Sequence, residues 1–377
     1  MGLSNKIHIV SFNVPYPADY GGVIDVFYKI RQLHGIGAEI YLHCFTYGRQ
    51  EAGELNKYCQ KVFYYKRQQS FNRLFSNLPY IIATRNSPEL LNNILNIKAP
   101  ILFEGLHTCF FINHPKLKNY RKIIRMHNIE HEYYAELAKA EADFLKKIYF
   151  KRESRKLKKF EQKIIAADSL LTISKSDQQY FSKIHRNSNL VPGFHEFETV
   201  TSKTGKGDYI LFHGNLGVAE NKRAVKFILK DVAIQEHFPI IIAGKNPSTE
   251  LIKSGRKFPN LKIVANPSEE KMNELMQNAH VCFIPTFQPT GLKLKLLGSL
   301  FASRFCVTNS IMVKNTGLEQ LCTVSDSTEE LKNCIFGFFL KSFTEEDIKK
   351  RKEILERDFS NKTNAKRLFT LIKSDNR

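Results

Sequence analysis

The sequence predicts an α/β protein made of two doubly wound halves, and three observations carry that prediction. Short runs rich in Val, Ile, Leu, Phe and Tyr alternate with longer stretches of helical periodicity through nearly all 377 residues. Parallel strands joined by crossover helices read this way. The alternation halts once, where residues 191–207 hold Pro192, Gly193, Gly205 and Gly207 with little periodicity, as a linker does. The length also exceeds one comfortable core and suggests about two domains. The expected division is residues 1–195, residues 208–345, and a helical tail over 346–377 that packs back toward the first half.

Taken in order, the first half offers strands at Lys6–Asn13, Glu39–Phe45, Lys61–Tyr65, Ile101–Glu104, Lys122–Met126 and Ser169–Ile173. Helices are expected between them, notably at Gly22–His34 and over a long Tyr133–Ala166 stretch. A second series starts near Asp208, with strands at Tyr209–His213, Pro239–Ala243, Leu261–Val264, His280–Ile284 and Arg304–Thr308. Helices near Asn221–Lys230, Ser268–Gln277 and Leu292–Phe301 separate these strands. After Thr328 the chain reads as helix, apolar enough to dock over Leu331–Phe343 and charged and amphipathic over Thr344–Lys373. Two Rossmann-like halves facing across a cleft follow from this series, and ligands of such sheets sit beyond the carboxyl ends of the strands.

Composition narrows the class. Hydrophobic residues at 42% and charged residues at 25% suit a globular chain, and no apolar run reaches the roughly 18 residues of a membrane span. The first ten residues form a strand-like pattern without the long apolar stretch of a signal peptide. Seven cysteines stand at irregular spacing, mostly inside apolar runs. They read as reduced thiols of a cytoplasmic protein rather than a zinc site or disulfide framework. A formal charge of +20 would attract nucleic acid, an anionic membrane or an acidic substrate.

The loops after the strands hold the candidate chemistry. Tyr20-Gly21-Gly22 leads from the first strand into a helix, where paired glycines let backbone N–H groups approach an anion. It is not the G-x-G-x-x-G of a dinucleotide site. Glu104-Gly105-Leu106-His107 and His127-Asn128-Ile129-Glu130 end two further strands with carboxylates and imidazoles. In the second half, His213-Gly214-Asn215 precedes Lys222-Arg223, and Gly244-Lys245-Asn246 repeats the scheme of apolar strand, glycine and polar loop. Thr290-Gly291-Leu292-Lys293-Leu294-Lys295 brings a glycine and two lysines to a helix start. Cations are locally unfavourable there, and a bound phosphate would resolve the conflict.

These loops resemble those of retaining glycosyltransferases of family 4, which have the GT-B fold, and the likeness spans nearly the whole chain. Arg125-Met126-His127-Asn128-Ile129-Glu130-His131-Glu132-Tyr133-Tyr134 looks like the family's strand-end histidine and the acceptor-side helix after it. Glu153 through Glu161, Ala166-Ala167-Asp168 and Thr172-Ile173-Ser174-Lys175-Ser176-Asp177 look like its "E…L…E…aD…vS…D" stretch. Gly291-Leu292-Lys293-Leu294-Lys295-Leu296-Leu297 looks like its donor-binding "GxKxKxLEA" helix start. Many members carry two glutamates eight positions apart around that helix, the second contacting the donor ribose. Here those positions hold Thr290 and Gly298. The arginine that follows the second domain's first glycine in the family appears as Asn215, and Lys222 matches its lysine at a spacing one residue longer.

The resemblance implies sugar transfer from a UDP- or GDP-sugar to a glycan or lipid-linked acceptor, with retention at the anomeric carbon and no metal or other cofactor. Lysines and helix dipoles would stabilise the leaving diphosphate. His127 would contact the transferred sugar, with its backbone carbonyl near the anomeric centre, and Glu104 would be the second catalytic residue. Tyr20, His107, Asn128 and Glu130 would face the acceptor. Gly22, Gly214, Asn215, Lys222, Gly244, Lys245, Thr290, Gly291, Leu292, Lys293 and Lys295 would hold the donor. The basic run from Lys146 to Lys159 fits reversible contact with the anionic inner face of a membrane. Three other readings stand beside this one: a catalytically silent nucleotide-sugar binder, suggested by Gly298 and Asn215; a nucleic-acid binder, suggested by the charge; and a nucleotide-sugar epimerase of the same fold.

Overall fold

A computed structural model describes residues 5–232, 238–288 and 293–374. Within them, residues 5–196 and 359–374 form one compact unit, and residues 197–288 with 293–358 form a second.

The first unit is built on strands β1 (Lys6–Ser11), β2 (Glu39–Thr46), β3 (Lys61–Lys66), β4 (Ile101–Glu104), β5 (Lys122–Met126), β6 (Ser169–Thr172) and β7 (Ser188–Leu190). Their order is β3-β2-β1-β4-β5-β6-β7, every neighbouring pair parallel. The order reverses between β1 and β4, the place where such sheets collect ligands beyond their carboxyl ends. The helix Gly21–Gly35 buries Val23, Val26, Phe27, Ile30 and Leu33 at helical spacing. It shares a core with Ile7, Ile9, Ile40 and Leu42 of the sheet and with Ala365, Leu368 and Ile372 of the chain's last helix.

The second unit repeats the scheme with β8 (Ile210–His213), β9 (Ile240–Gly244), β10 (Leu261–Ala265), β11 (Val281–Phe283), β12 (Phe305–Thr308) and β13 (Thr323–Val324). The order is β10-β9-β8-β11-β12-β13, again parallel throughout. Phe212, Ile242, Phe283 and Val307 of the sheet pack with Val225, Ile228, Leu331 and Ile335 of the helices.

Three expectations need correction. The long helix foreseen at Tyr133–Ala166 is two helices, Glu130–Ala140 and Phe144–Glu161, followed by a 3-10 turn at Gln162–Ala166. Asp143 starts the second, its side chain accepting the Lys146 N–H at 2.8 Å as an N-cap does. The tail does not act as one piece. Helix Glu345–Asp358 belongs to the second unit, where the buried Arg351 donates to Ser202 Oγ at 3.0 Å and the Leu300 carbonyl at 3.2 Å, while helix Asn361–Lys373 belongs to the first. Strands β7 and β13 have three and two residues, too few for alternation to register in sequence. All seven cysteines are free. No helix among the described residues is long and apolar enough to cross a membrane.

Candidate functional site

At the switch point of the first sheet lies a buried network of ionic groups. Asp25 and Lys29 stand one helical turn apart on the buried face of Gly21–Gly35, with Lys29 Nζ 2.8 Å from Asp25 Oδ2. The same ammonium lies 2.9 Å from the Glu104 carboxylate at the end of β4. Arg125, in the wholly buried strand β5, places Nη2 2.9 Å from Asp25 Oδ1 and donates to the Pro192 carbonyl at 3.0 Å. The Phe194 N–H also donates to Asp25, at 2.8 Å. Two carboxylates and two cations thus neutralise one another where isolated charges would be untenable. Burial raises the Asp25 and Glu104 pKa values, but Arg125 and Lys29 beside Asp25, and Lys29 and His127 beside Glu104, outweigh it and hold both below the carboxylate range.

Glu104 fixes an imidazole. His127 Nε2 is 2.9 Å from Glu104 Oε2, and an ionised carboxylate only accepts, so Nε2 is the donor in this bond and Nδ1 is the ring nitrogen left without a partner. Glu104 is completely enclosed, at 0% exposure. The side chain expected to face substrate is thus covered by the fold, and its carboxylate bonds the His127 imidazole. Asp25, Glu104 and His127 bring one possible metal-ligand atom each within 4.8 Å of one another. Lys29 and Arg125 already hold those carboxylates, so the group does not fit a cation.

Around Gly105 three buried polar atoms lack a hydrogen-bond partner: Nδ1 of His127, Nδ1 of His107 and Oε1 of Glu130. His107 Nδ1 and Glu130 Oε1 are 4.0 Å apart, too far for a bond. Gly105 has φ +71°, and a Cβ there would lie 3.0 Å from His107 Nδ1 and 3.6 Å from His127 Cδ2. The Phe12 ring seats both imidazoles, 5.6 Å from each, and Gly22 admits that ring, since a Cβ would come within 2.8 Å of Phe12 Cζ. Burial, with Arg85, His127 and Arg67 nearby, pushes the His107 pKa well down, so its ring is neutral. Burial pushes the Glu130 carboxyl up to about 7. Buried polar atoms are normally paired, so these unpaired ones are open to a ligand or to water. Asn128 bonds the Glu130 side chain. Tyr20 has other partners: its ring lies under Arg49 at 5.1 Å and its hydroxyl 3.4 Å from Asn13 Nδ2.

The corresponding end of the second sheet is built differently. Gly214 has φ +150°, and a Cβ would meet Asn221 Nδ2 at 2.9 Å and Lys295 Cε at 3.1 Å. Gly244 has no room for a side chain, since a Cβ would sit 1.7 Å from the Gly214 carbonyl oxygen. Its glycine is required by backbone approach between the ends of β8 and β9. Lys295 Nζ is bonded to Asn221 Oδ1 and stands 4.6 Å over the Phe212 ring. Burial lowers its pKa to about 8, with Glu220 partly opposing. Burial lowers the Lys293 pKa as well, and its ammonium donates to the Gln288 carbonyl at 2.7 Å. His213 Nε2 lies 2.8 Å from Ser299 Oγ, and burial and Lys295 bring its pKa down to about 3. Asn215 Oδ1 accepts the Gly217 N–H at 3.0 Å and shapes the loop.

Of the donor-side residues read from sequence, the structure brings Gly214, Asn215 and Lys295 together through Asn221, with Gly244 behind Gly214. Lys222 and Lys245 are exposed, and Thr290, Gly291 and Leu292 lie outside the described residues. Gly298, in place of the family's glutamate, is covered by Phe197: a Cβ would come within 2.7 Å of Phe197 Cζ, and that ring stacks on Phe301 at 5.6 Å. Sequence reasoning missed Asp25, Lys29 and Arg125. One signal was present, since a charge inside the apolar run Ile123-Ile124-Arg125-Met126 needs a buried partner, whereas Asp25 and Lys29 flank the apolar face of their helix and read as an ordinary surface pair.

No model of a known protein family matches the sequence. A curated relative, described as an uncharacterised 44.6 kDa protein in the cps region of Klebsiella pneumoniae, is 29% identical over 357 residues, covering 88% of this chain and 90% of its own. Among solved structures, a glycosyltransferase from Rickettsia africae superposes with TM-score 0.66 at 11% identity, over 99% of both chains. TarM gives 0.65 at 9% identity over 98% of this chain and 99% of its own. Anabaena HepE, solved with UDP and glucose, gives 0.64 at 9% identity over 97% of this chain and 99% of its own. Likenesses of full length and low identity speak to architecture, and they give this chain the GT-B fold.

Proposed function

We propose that the chain is a glycosyltransferase that moves a sugar from a nucleotide-sugar to a glycan or lipid-linked acceptor. One observation carries the reading: His127 Nδ1, His107 Nδ1 and Glu130 Oε1 gather at the switch point as buried polar atoms without partners. Unpaired polar atoms of this kind suit a ligand whose hydroxyls can donate and accept, as a sugar's do. In the second unit, two desolvated lysines at the start of helix Leu294–Ala302 suit a diphosphate. That Anabaena HepE was solved with UDP and glucose supports the same donor class. The finer reading is retention of configuration without a metal, with Lys293 and Lys295 stabilising the leaving diphosphate. The relative in the cps region supports a place in cell-surface polysaccharide synthesis, at the cytoplasmic face of the membrane.

A thermal-shift panel of UDP-, GDP- and ADP-sugars tests this. Ligand at about 100 times its dissociation constant adds nearly 3 kcal/mol, a shift of a few degrees at this size. One nucleotide class should stabilise the protein, and the same donor should then yield a glycosylated product. Absence of stabilisation by every donor at millimolar concentration would sink the proposal. Phe197 over Gly298 favours a second reading, a nucleotide-sugar binder without turnover. Its signature is stabilisation by a donor with neither transfer nor donor hydrolysis.

A further inference from the structure

Helix Phe144–Glu161 is the most basic element of the first unit. It carries Lys146, Lys147, Lys151, Arg152, Arg155, Lys156, Lys158 and Lys159, and its two acidic residues, Glu153 and Glu161, are both buried. Its outer face is more than a solvated charge run. Leu145, Ile148, Arg152, Arg155 and Lys159 follow one another at helical spacing, and all are exposed. The first two turns of that stripe are apolar and the rest is cationic. Phe144 and Leu145 are 72% and 76% exposed, and Ile148 is 48% exposed. A second exposed apolar pair, Phe71 at 72% and Phe75 at 63%, sits on the short turn Phe71–Phe75. That segment is tied to the same helix, because Lys156 donates to the Leu74 carbonyl at 3.1 Å and the Tyr80 N–H donates to Glu153 at 2.5 Å. Five large apolar side chains held out in water with cations beside them are not accounted for by folding.

We infer that this face inserts into an anionic lipid surface, with Phe144, Leu145, Ile148, Phe71 and Phe75 entering the acyl boundary and the lysines and arginines meeting the lipid phosphates. The chemistry selects lipid over the other polyanions a basic helix attracts. Phe71, Phe75 and Phe144 have faces on which bases can stack, but Leu145 and Ile148 have none, whereas aliphatic and aromatic side chains alike gain from leaving water at a bilayer interface. The anionic headgroup complements the local charge, and the apolar tip adds an attachment that salt does not screen. The inference stands on exposure and charge alone, so its failure and that of the sugar-transfer reading are separate results.

The chain has no tryptophan, so Phe144→Trp in the full-length protein gives a single fluorophore at the proposed tip. With mixed phosphatidylglycerol–phosphatidylcholine vesicles its emission should shift to the blue and be quenched by lipids brominated on their acyl chains. Vesicles of phosphatidylcholine alone should do neither at the same concentration. Adding Leu145→Ser and Ile148→Ser should weaken partitioning by about tenfold or more at any ionic strength. Replacing Lys151, Arg152 and Arg155 by Gln should weaken it by about a hundredfold at low salt and little at high salt. Three results overturn the inference: co-sedimentation with an unshifted tryptophan, which is adsorption by charge without insertion; binding of DNA but not of vesicles; or a dimer in sedimentation velocity that the Leu145→Ser, Ile148→Ser variant abolishes, which assigns the face to a second copy.

Discussion

In the first unit, Asp25, Lys29, Glu104 and Arg125 bury two negative and two positive charges within hydrogen-bonding reach of one another. In the second, Lys295 is desolvated beside Asn221 and Phe212, with no carboxylate within ion-pair distance among the described residues. One sheet end is electrically closed and holds its histidine in a single orientation. The other keeps a cation that no ion pair among the described residues neutralises, with Glu220 acting on it only from beyond ion-pair distance. Under the proposed function the contrast is one of positioning against binding: a closed network would hold His127 in place, and an open one would gain its counter-ion from a ligand's diphosphate.

The sharpest way to break the contrast is to open the closed end. Lys29→Met leaves two buried carboxylates facing one guanidinium and should cost about 3–5 kcal/mol in urea unfolding. Lys295→Met removes a desolvated cation and should leave apo stability within about 1 kcal/mol of the wild type. Equal losses in the two variants would erase the distinction.

A pH-dependent effect of intermediate size belongs to Glu130. Its carboxyl keeps a proton in the folded chain up to about pH 7, against 4.5 for the ordinary group. The contribution of that group is therefore complete below about pH 4.5 and lost as pH rises through 7. Glu130→Gln should raise stability by about 3 kcal/mol at pH 8 and leave it nearly unchanged at pH 4, read from melting curves at the two pH values. A gain of the same size at both would assign the effect to packing.

The smallest effect sharpens the open end. Because burial holds Lys295 at about 8, its charge is present at pH 7 and fades above pH 8. Affinity for a nucleotide-sugar, whose diphosphate does not titrate there, should fall by up to about tenfold per pH unit from that point. It should level off at the higher pKa of the bound lysine. Isothermal titration from pH 7 to 10 measures the profile, and Lys295→Met should flatten it. A wild-type profile already flat would remove Lys295 from the donor site.

The strand series was legible because both faces of these sheets are buried, which leaves apolar runs that turn residues bound. Strand-end chemistry was legible for the same reason, since a carboxylate or imidazole at the end of an apolar run stands out, as Glu104, His107 and His127 do. Charges inside elements were harder to read. Asp25 and Lys29 at i and i+4 look in sequence like a solvated pair on a helix surface, and only the fold turns them inward. The break between Ala140 and Phe144 has neither glycine nor proline to announce it, and Asp143 as a cap becomes evident once the two helices diverge. Glu104 was read as facing substrate because strand order alone does not say which strand-end side chain is covered by the helix above it.

The ring of Phe197 over Gly298 has a consequence for how this chain could change by single mutations. A glutamate at position 298, as the family pattern carries, meets an aromatic wall in this background. The same glutamate after Phe197 has become small escapes that contact. The two substitutions are therefore coupled through one shared volume: a side chain at 298 must displace the Phe197 ring unless residue 197 is already small. A glycine that looks like a simple loss in sequence is in this fold one half of a sterically locked pair.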